Sequence, residues 1–161
     1  MLAFLLSGFV FFTSVQRVLV EFCEADSYTD GCSVPFGLDT PFKEIFTKAC
    51  NKHDTCYGCG YHFNWSRALC DAAFLRDMKN LCRPPAPSRK RRFVAALMEL
   101  WDLLRGISKK EKRCRMMADV YYDGVRMFGE SHYANVHYAY CYTECAKLHG
   151  SPFVTLKRRQ R

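Results

Sequence analysis

Residues 50–57, with the sequence CNKHDTCY, combine side chains suited to the hydrolysis of an ester. A neutral imidazole such as that of His53 takes a proton from water near physiological pH. A carboxylate such as that of Asp54 is a hard oxygen donor for Ca²⁺, a cation that polarises an ester carbonyl. On a helix, His53 shares one face with Cys50, three residues before it, and Tyr57, four residues after it. The stretch predicts a general base beside a calcium ligand.

Further along the chain, Cys70-Asp71 repeats the pairing of a cysteine with an acid. If Cys56 pairs with Cys70, the two helices are antiparallel and Asp71 comes near His53. Asp71 would then hold the imidazole tautomer, as the acid of a serine-protease triad does. Each residue also has a plainer interpretation. A His-Asp dipeptide is often a solvent-exposed pair with no catalytic role. Asp71 fits a solvated helix position, and Tyr57 fits an ordinary core position.

The elements that must position these side chains are helices. Between Pro41 and Gly60, apolar residues recur at steps of three and four, which predicts an amphipathic helix. Thr40 is its expected N-cap, with Pro41 at the first helical position. Gly58 and Gly60 mark its expected end.

Two more helices are expected, one from about Ser66 to Leu81 and one from about Cys114 to Leu148, broken near Gly129. Strand-type alternation is scarcely present. The predicted fold class is therefore mainly α and disulfide-rich, with two antiparallel helices carrying the site and a third, C-terminal helical segment.

The 10 cysteines in 161 residues indicate an oxidising compartment, where disulfides stabilise a small core. The apolar run from Leu2 to Phe12 suits a signal peptide and is too short for a membrane span. Cleavage before Cys23 keeps the number of cysteines even. The chain is therefore expected to be secreted; the alternative for its N-terminus is a buried apolar helix.

The net charge of +8 belongs to two short segments. Subtracting the +6 of residues 89–113 and the +4 of residues 157–161 leaves −2 for the rest of the chain. A continuous basic face is thus absent from the sequence pattern, and we expect no nucleic-acid partner.

The first of these segments, residues 89–113, has the features of two processing sites. Pro84 to Pro87 cannot continue a helix, so the basic run after it, residues 89–92, is expected to be exposed to proprotein convertases. A second basic run, residues 109–113, lies just before Cys114. Between them, residues 93–104 place apolar side chains on one helical face. The alternative to an excised propeptide is a solvated charged loop.

The predicted organisation has five parts. They are a signal peptide (1–22), a catalytic part (23–88), a propeptide linker (89–113), a helical second part (114–156) and a basic tail (157–161). Seven cysteines precede the linker and three follow it, so an odd number of disulfides must cross if all ten pair. The product is expected to be a disulfide-linked heterodimer of two chains from one precursor.

The pattern Cys-x-x-His-Asp-x-Cys-Tyr, followed by Cys-Asp in a second helix, resembles the active-site signature of secreted phospholipases A2. Residues 30–37 (DGCSVPFG) resemble the calcium loop of that family. The similarity is greatest to the conodipine-type (group IX) enzymes of cone snail venom, through DGCSVP, ACNKHDTCYGCG and the excised linker. It covers residues 30–82, and residues 114–149 only in cysteine count and helical character.

This resemblance implies a calcium-dependent enzyme that hydrolyses the sn-2 ester of phospholipids at a membrane surface, as a component of venom. His53 would be the general base, Asp71 would orient it, and Tyr57 would bond to Asp71. Cys32–Cys50 would tie the calcium loop to the first helix, and Cys56–Cys70 would join the two helices.

For calcium, the resemblance implies Asp54 as the carboxylate ligand and the backbone carbonyls of Gly31, Ser33 and Pro35 as the others. Ser33 and Pro35 stand where common family members have glycine, and the β-hairpin expected after the second helix is missing. Because the sequence places no second carboxylate next to Asp54, we expect calcium to bind only at about millimolar concentration.

The two implied disulfides leave Cys23, Cys59 and Cys82 before the linker and Cys114, Cys141 and Cys145 after it. Cys141 and Cys145 lie four apart on one helical face and point the same way, which favours three crossing bridges. One crossing bridge with local pairs also satisfies the count.

Two other functions compete. A non-catalytic toxin that binds a receptor or channel would use the same disulfides, but it has no need of His53, Asp54 and Asp71 together. A zinc module on Cys56 and Cys59 lacks a matching second pair, and an oxidising compartment would consume its thiols.

Overall fold

The computed structural model describes residue 23 and residues 27–33, 40–84 and 108–157. Four α-helices account for most of this part: α1 (Lys43–Phe63), α2 (Arg67–Leu81), α3 (Lys109–Phe128) and α4 (Glu144–Gly150). Short 3₁₀ turns at Gly129–His132 and Ala139–Tyr142 link α3 to α4. The expected mainly α class is confirmed. The predicted signal peptide, most of the predicted linker with its helix at 93–104, and the tail after residue 157 lie outside the described residues.

The beginning of α1 differs from the expectation. Its N-cap is Phe42, in the left-handed conformation with φ 67°, and no side chain caps the helix. Thr40 offers the backbone N–H of Lys43 only its carbonyl oxygen, at 3.3 Å. The Thr40 hydroxyl instead forms a hydrogen bond with the hydroxyl of Tyr121 in α3. A partner 81 residues away has replaced the local cap.

The expected end of α1 at Gly58 and Gly60 is also wrong. The helix continues to Phe63 and ends at Asn64, with φ 57°. Both glycines lie inside α1, and tyrosines from the later part of the chain pack directly against them. A Cβ at Gly60 would lie 2.6 Å from the hydroxyl of Tyr133, and a Cβ at Gly58 would overlap that of Tyr140. These glycines are close-contact positions, not helix stops.

Helix α2 begins as expected, because the Ser66 hydroxyl accepts a hydrogen bond from the backbone N–H of Leu69 at 3.2 Å. The α1–α2 connection is only three residues long. Earlier residues of α1 meet later residues of α2, as in the pairs Cys56–Cys70 and Lys52–Asp77. The two helices are therefore antiparallel.

Helix α3 begins at Lys109, five residues before the expected start, because Ser108 caps it by accepting from the N–H of Glu111 at 3.2 Å. It ends at Phe128, so the break expected near Gly129 is present. The rest of the expected helix consists of the two 3₁₀ turns and irregular segments, and it regains α-helical form only at Glu144–Gly150. No helix in the described part of the chain has both the length and the apolar character to cross a bilayer.

All ten cysteines form disulfides. Two bridges, Cys32–Cys50 and Cys56–Cys70, are the pairs that the family resemblance implied. The other three cross between the parts before and after the linker: Cys23–Cys145, Cys59–Cys141 and Cys82–Cys114. Cys56 and Cys59 are both oxidised, which removes the thiolates that a zinc module would need.

The core forms two clusters, one along the second half of α1 and one along its first half. One joins α1 to the segment around Tyr140 and α4 through Cys59, Trp65 and Cys141. The other joins α1 and α2 to α3 through Phe46, Met78 and Ala118. Helix α1 is thus packed along its length, and the part after the linker contributes buried residues to each cluster. This packing holds one face of α1 fixed against α2.

Candidate active site

The face shared by α1 and α2 carries a buried hydrogen-bond network around Asp71. His53 Nε2 lies 2.9 Å from Asp71 Oδ1, and the Tyr57 hydroxyl donates to the same oxygen at 2.6 Å. Arg126 of α3 donates from Nη1 to Asp71 Oδ2 at 2.9 Å. The structure thus brings together His53, Tyr57 and Asp71, the three residues that the sequence singled out for catalysis.

Hydrogen bonding governs the charge state of this network. Burial alone would raise the pKa of Asp71, but the hydrogen bonds from His53, Tyr57 and Arg126 together hold it below its usual range. Burial lowers the pKa of His53, which outweighs the opposite effect of Asp71. Asp71 is therefore ionised and His53 neutral at physiological pH. This is the state that a general base requires.

The ring of His53 is also fixed by packing. It stacks on the ring of Phe74 in α2, with ring centroids 4.6 Å apart. The centroid of the Tyr57 ring lies 4.1 Å from that of His53. With Nε2–H donated to the ionised carboxylate, the lone pair is on Nδ1. Within the part of the chain that the structure describes, Nδ1 has no hydrogen-bond partner. It is the nitrogen available to accept a proton from water.

Asp54, next to His53 in α1, has a different environment. Its Oδ2 is buried and has no hydrogen-bond partner among the described residues. Burial and the nearby carboxylate of Asp30 raise its pKa to about 7, although a backbone hydrogen bond from Asp30 partly offsets the rise. A buried carboxylate of this kind stays ionised only with a positive partner. The environment of the Asp54 carboxylate therefore fits a ligand to a divalent cation.

The predicted calcium loop lies beside this carboxylate. Gly31 has φ +76°, a conformation that L-residues rarely adopt, and an added Cβ there would lie 4.0 Å from Asn51 Oδ1. Ser33 is exposed at the end of the described stretch. Pro35, the third predicted carbonyl ligand, lies outside the described residues. The described part of the loop therefore contacts α1 at Gly31, near Asn51.

The expectation that Asp54 has no second carboxylate nearby is wrong. Asp30 interacts electrostatically with Asp54 although 24 positions separate them, because Cys32–Cys50 ties the loop to α1. Asn51 Oδ1 is a second buried oxygen without a hydrogen-bond partner among the described residues. Asp30 in the loop and the buried oxygens of Asn51 and Asp54 on α1 are thus candidate calcium ligands. Oxygen-rich sites of this kind suit Ca²⁺.

Sequence reasoning missed Arg126, Asp30 and Asn51. Arg126 is one basic residue among many in a helix far from the motif, and no local pattern marks it. Asp30 has a signal in the run DGCS, whose resemblance to a calcium loop implies carbonyl ligands only. Asn51 lies inside the motif, but its amide appears ordinary until burial leaves its oxygen without a donor.

Comparison with known proteins gives a consistent result. The family model described as prokaryotic phospholipase A2 matches residues 9–129. The chain is 48% identical over 62 residues to the Conodipine-M alpha chain of Conus magus. The aligned region covers 38% of this chain and 77% of the Conodipine-M alpha chain. The chain is 33% identical over 132 residues to Conodipine-P1 of Conus purpurascens, covering 66% and 73%. No solved structure matches it. The chain belongs to the phospholipase A2 family that includes the conodipines.

Proposed function

We propose that this protein is a secreted, calcium-dependent phospholipase A2 that hydrolyses the sn-2 ester of phospholipids to lysophospholipid and free fatty acid. The observation that carries the proposal is the buried His53–Asp71 hydrogen bond beside Asp54, a carboxylate with an unpartnered oxygen. Five disulfides and relatives from Conus support secretion and a role in venom.

In this proposal, His53 Nδ1 accepts a proton from the water that attacks the ester carbonyl. Asp71 keeps the second ring nitrogen protonated and stabilises the imidazolium that forms. The proton then passes from His53 to the departing glycerol oxygen. The Tyr57 hydroxyl, which bonds Asp71, keeps that carboxylate from turning away from His53.

Asp54, Asp30 and the loop carbonyls at Gly31, Ser33 and Pro35 would hold Ca²⁺. When bound, the ion polarises the ester carbonyl and stabilises negative charge that develops on its oxygen. Backbone N–H groups of the loop would share that role.

The decisive experiment is release of fatty acid from phosphatidylcholine vesicles by the purified secreted protein, with Ca²⁺ and with excess EGTA. We expect hydrolysis with calcium and none with chelator. Full activity in EGTA would contradict the calcium mechanism. No hydrolysis in either condition would favour the non-catalytic toxin on the same scaffold.

We also propose that the mature product is two chains, about 23–88 and 114–156, joined by three disulfides. The bridges Cys23–Cys145, Cys59–Cys141 and Cys82–Cys114 would hold the parts together after the linker is removed. Mass spectrometry of the secreted protein should show one species before reduction and two after it. A single species of nearly unchanged mass after reduction would mean that the basic runs are solvated loops.

A further inference from the structure

The last turn of α3 brings Arg126 to the buried carboxylate of Asp71. Arg126 Nη1 donates to Oδ2 at 2.9 Å, while His53 and Tyr57 both bond to Oδ1. Asp71 is fully buried, whereas 38% of the Arg126 side chain is exposed. Among the residues that the structure describes, Arg126 is the permanently charged cation that bonds to Asp71.

Several contacts that do not involve Asp71 hold the end of α3 in this place. Arg67 of α2 donates to the carbonyl oxygens of Val125 and Arg126 at 3.5 and 3.4 Å. A Cβ at Gly129, directly after α3, would lie 2.7 Å from the Tyr57 hydroxyl. The absence of a side chain there leaves room for Tyr57 to reach Asp71. The contacts of Arg67 and the close approach of Gly129 to Tyr57 therefore hold the end of α3 near Asp71.

A carboxylate bonded through one oxygen still rotates about the bond to its Cβ atom. A charge-assisted hydrogen bond on the second oxygen fixes the plane of the group. With Oδ2 held by Arg126, Oδ1 points at His53 Nε2, and the imidazole keeps the orientation that presents Nδ1 to water. Displacement of a reacting group by a fraction of an ångström lowers a rate steeply.

We propose that Arg126 is a positioning residue for hydrolysis, and that the segment after the linker therefore completes the catalytic centre. The inference rests on the proposed function, since hydrolysis is the activity that Arg126 supports. It adds a functional reason for the crossing disulfides: Cys82–Cys114 anchors the helix that carries Arg126 to the helix that carries Asp71.

The test uses the full chain, phosphatidylcholine vesicles and calcium. Arg126→Met keeps most of the aliphatic stem and removes the charge, and Arg126→Lys keeps a cation able to bond one oxygen. Arg115→Met is the matched control, because Arg115 is also in α3 but bonds Glu111 at 2.9 Å. We expect kcat to fall about 10- to 100-fold in the Met variant, with KM little changed. The Lys variant should recover part of this loss, and the control should equal the wild type.

A second measurement does not depend on turnover. The His53 Nε2–H proton, bonded to Asp71, should give a low-field NMR resonance that moves upfield in Arg126→Met and less in Arg126→Lys. Circular dichroism verifies that each variant is folded. If Arg126→Met does not fold, the kcat and the NMR resonance of Arg126→Lys test the inference instead.

Three outcomes separate the hypotheses. Wild-type kcat and an unmoved resonance in Arg126→Met would overturn the inference. A raised KM with unchanged kcat would overturn it as well, and would assign Arg126 to binding of the substrate phosphate. If the wild type itself hydrolyses nothing, the proposed function fails, and the NMR comparison alone decides whether Arg126 orients Asp71 and His53.

Discussion

Asp71 and Asp54 are two carboxylates withdrawn from water around the same histidine, and their surroundings are opposite. Asp71 accepts from His53, Tyr57 and Arg126 through both of its oxygens, and its pKa lies below the usual range. Asp54 has a buried oxygen without a hydrogen-bond partner among the described residues, and its pKa rises to about 7. One carboxylate is fully satisfied by the protein, and the other is not.

This difference separates two functional roles. A buried carboxylate with every oxygen bonded has a fixed orientation and can hold another group in place, as Asp71 holds His53. A buried carboxylate with an unpartnered oxygen lowers stability unless a cation binds it. Burial alone therefore does not mark a carboxylate as a candidate metal ligand, whereas burial with an unpartnered oxygen does.

The largest expected effect comes from substitution of His53, which bonds Asp71 and directly precedes Asp54 in α1. His53→Gln should lower hydrolysis by about 10²- to 10⁴-fold, because the general base is lost. Calcium binding should stay unchanged, since Asp54 and Asp30 are retained. Fatty-acid release and calorimetric titration with Ca²⁺ on the same sample test both statements. Near-normal turnover would place the active site elsewhere, and lost calcium binding would contradict the separation of roles.

The local part of this site could be predicted from the sequence. Helical spacing places His53, Asp54 and Tyr57 on one face, and Ser66 marks the start of α2. These features depend on contacts within a few residues. The family resemblance then implied the two disulfides that bring Asp71 and the calcium loop to α1.

The rest depends on contacts between distant residues. Gly58 and Gly60 are residues typical of a helix end, but Tyr140 and Tyr133, from the part after the linker, pack against them and the helix continues. Thr40 was expected to cap α1, and its hydroxyl bonds Tyr121. Arg126 and Asp30 reach the site through the packing of α3 and through the disulfides that anchor α3 and the loop. For Gly58, Gly60, Thr40 and Arg126, no local pattern in the sequence contains this information.

A second, smaller effect is expected on stability in EGTA near pH 8. Asp71→Asn should lower the free energy of unfolding by about 1–3 kcal/mol, because it breaks a satisfied buried network. Asp54→Asn should cause no loss, or a gain, because it removes a buried charge that nothing neutralises without calcium. Urea unfolding followed by circular dichroism measures both. Equal losses in the two variants would show that the two carboxylates are not opposite in kind.

The smallest expected effect is a pH dependence of calcium affinity. Because the pKa of Asp54 is raised to about 7, the calcium-free protein carries a proton there below that pH, and calcium must displace it. The apparent Kd for Ca²⁺ should therefore be nearly constant from pH 8 upward and rise by up to about tenfold per pH unit below 7. Asp71 stays ionised over this range, since its pKa lies below the usual value, and it cannot produce the slope. Calorimetric titrations at pH 8, 7 and 6 measure it, with circular dichroism at each pH as the control. A Kd that does not change between pH 8 and pH 6 would mean that Asp54 is already ionised without calcium, and the contrast with Asp71 would then be lost.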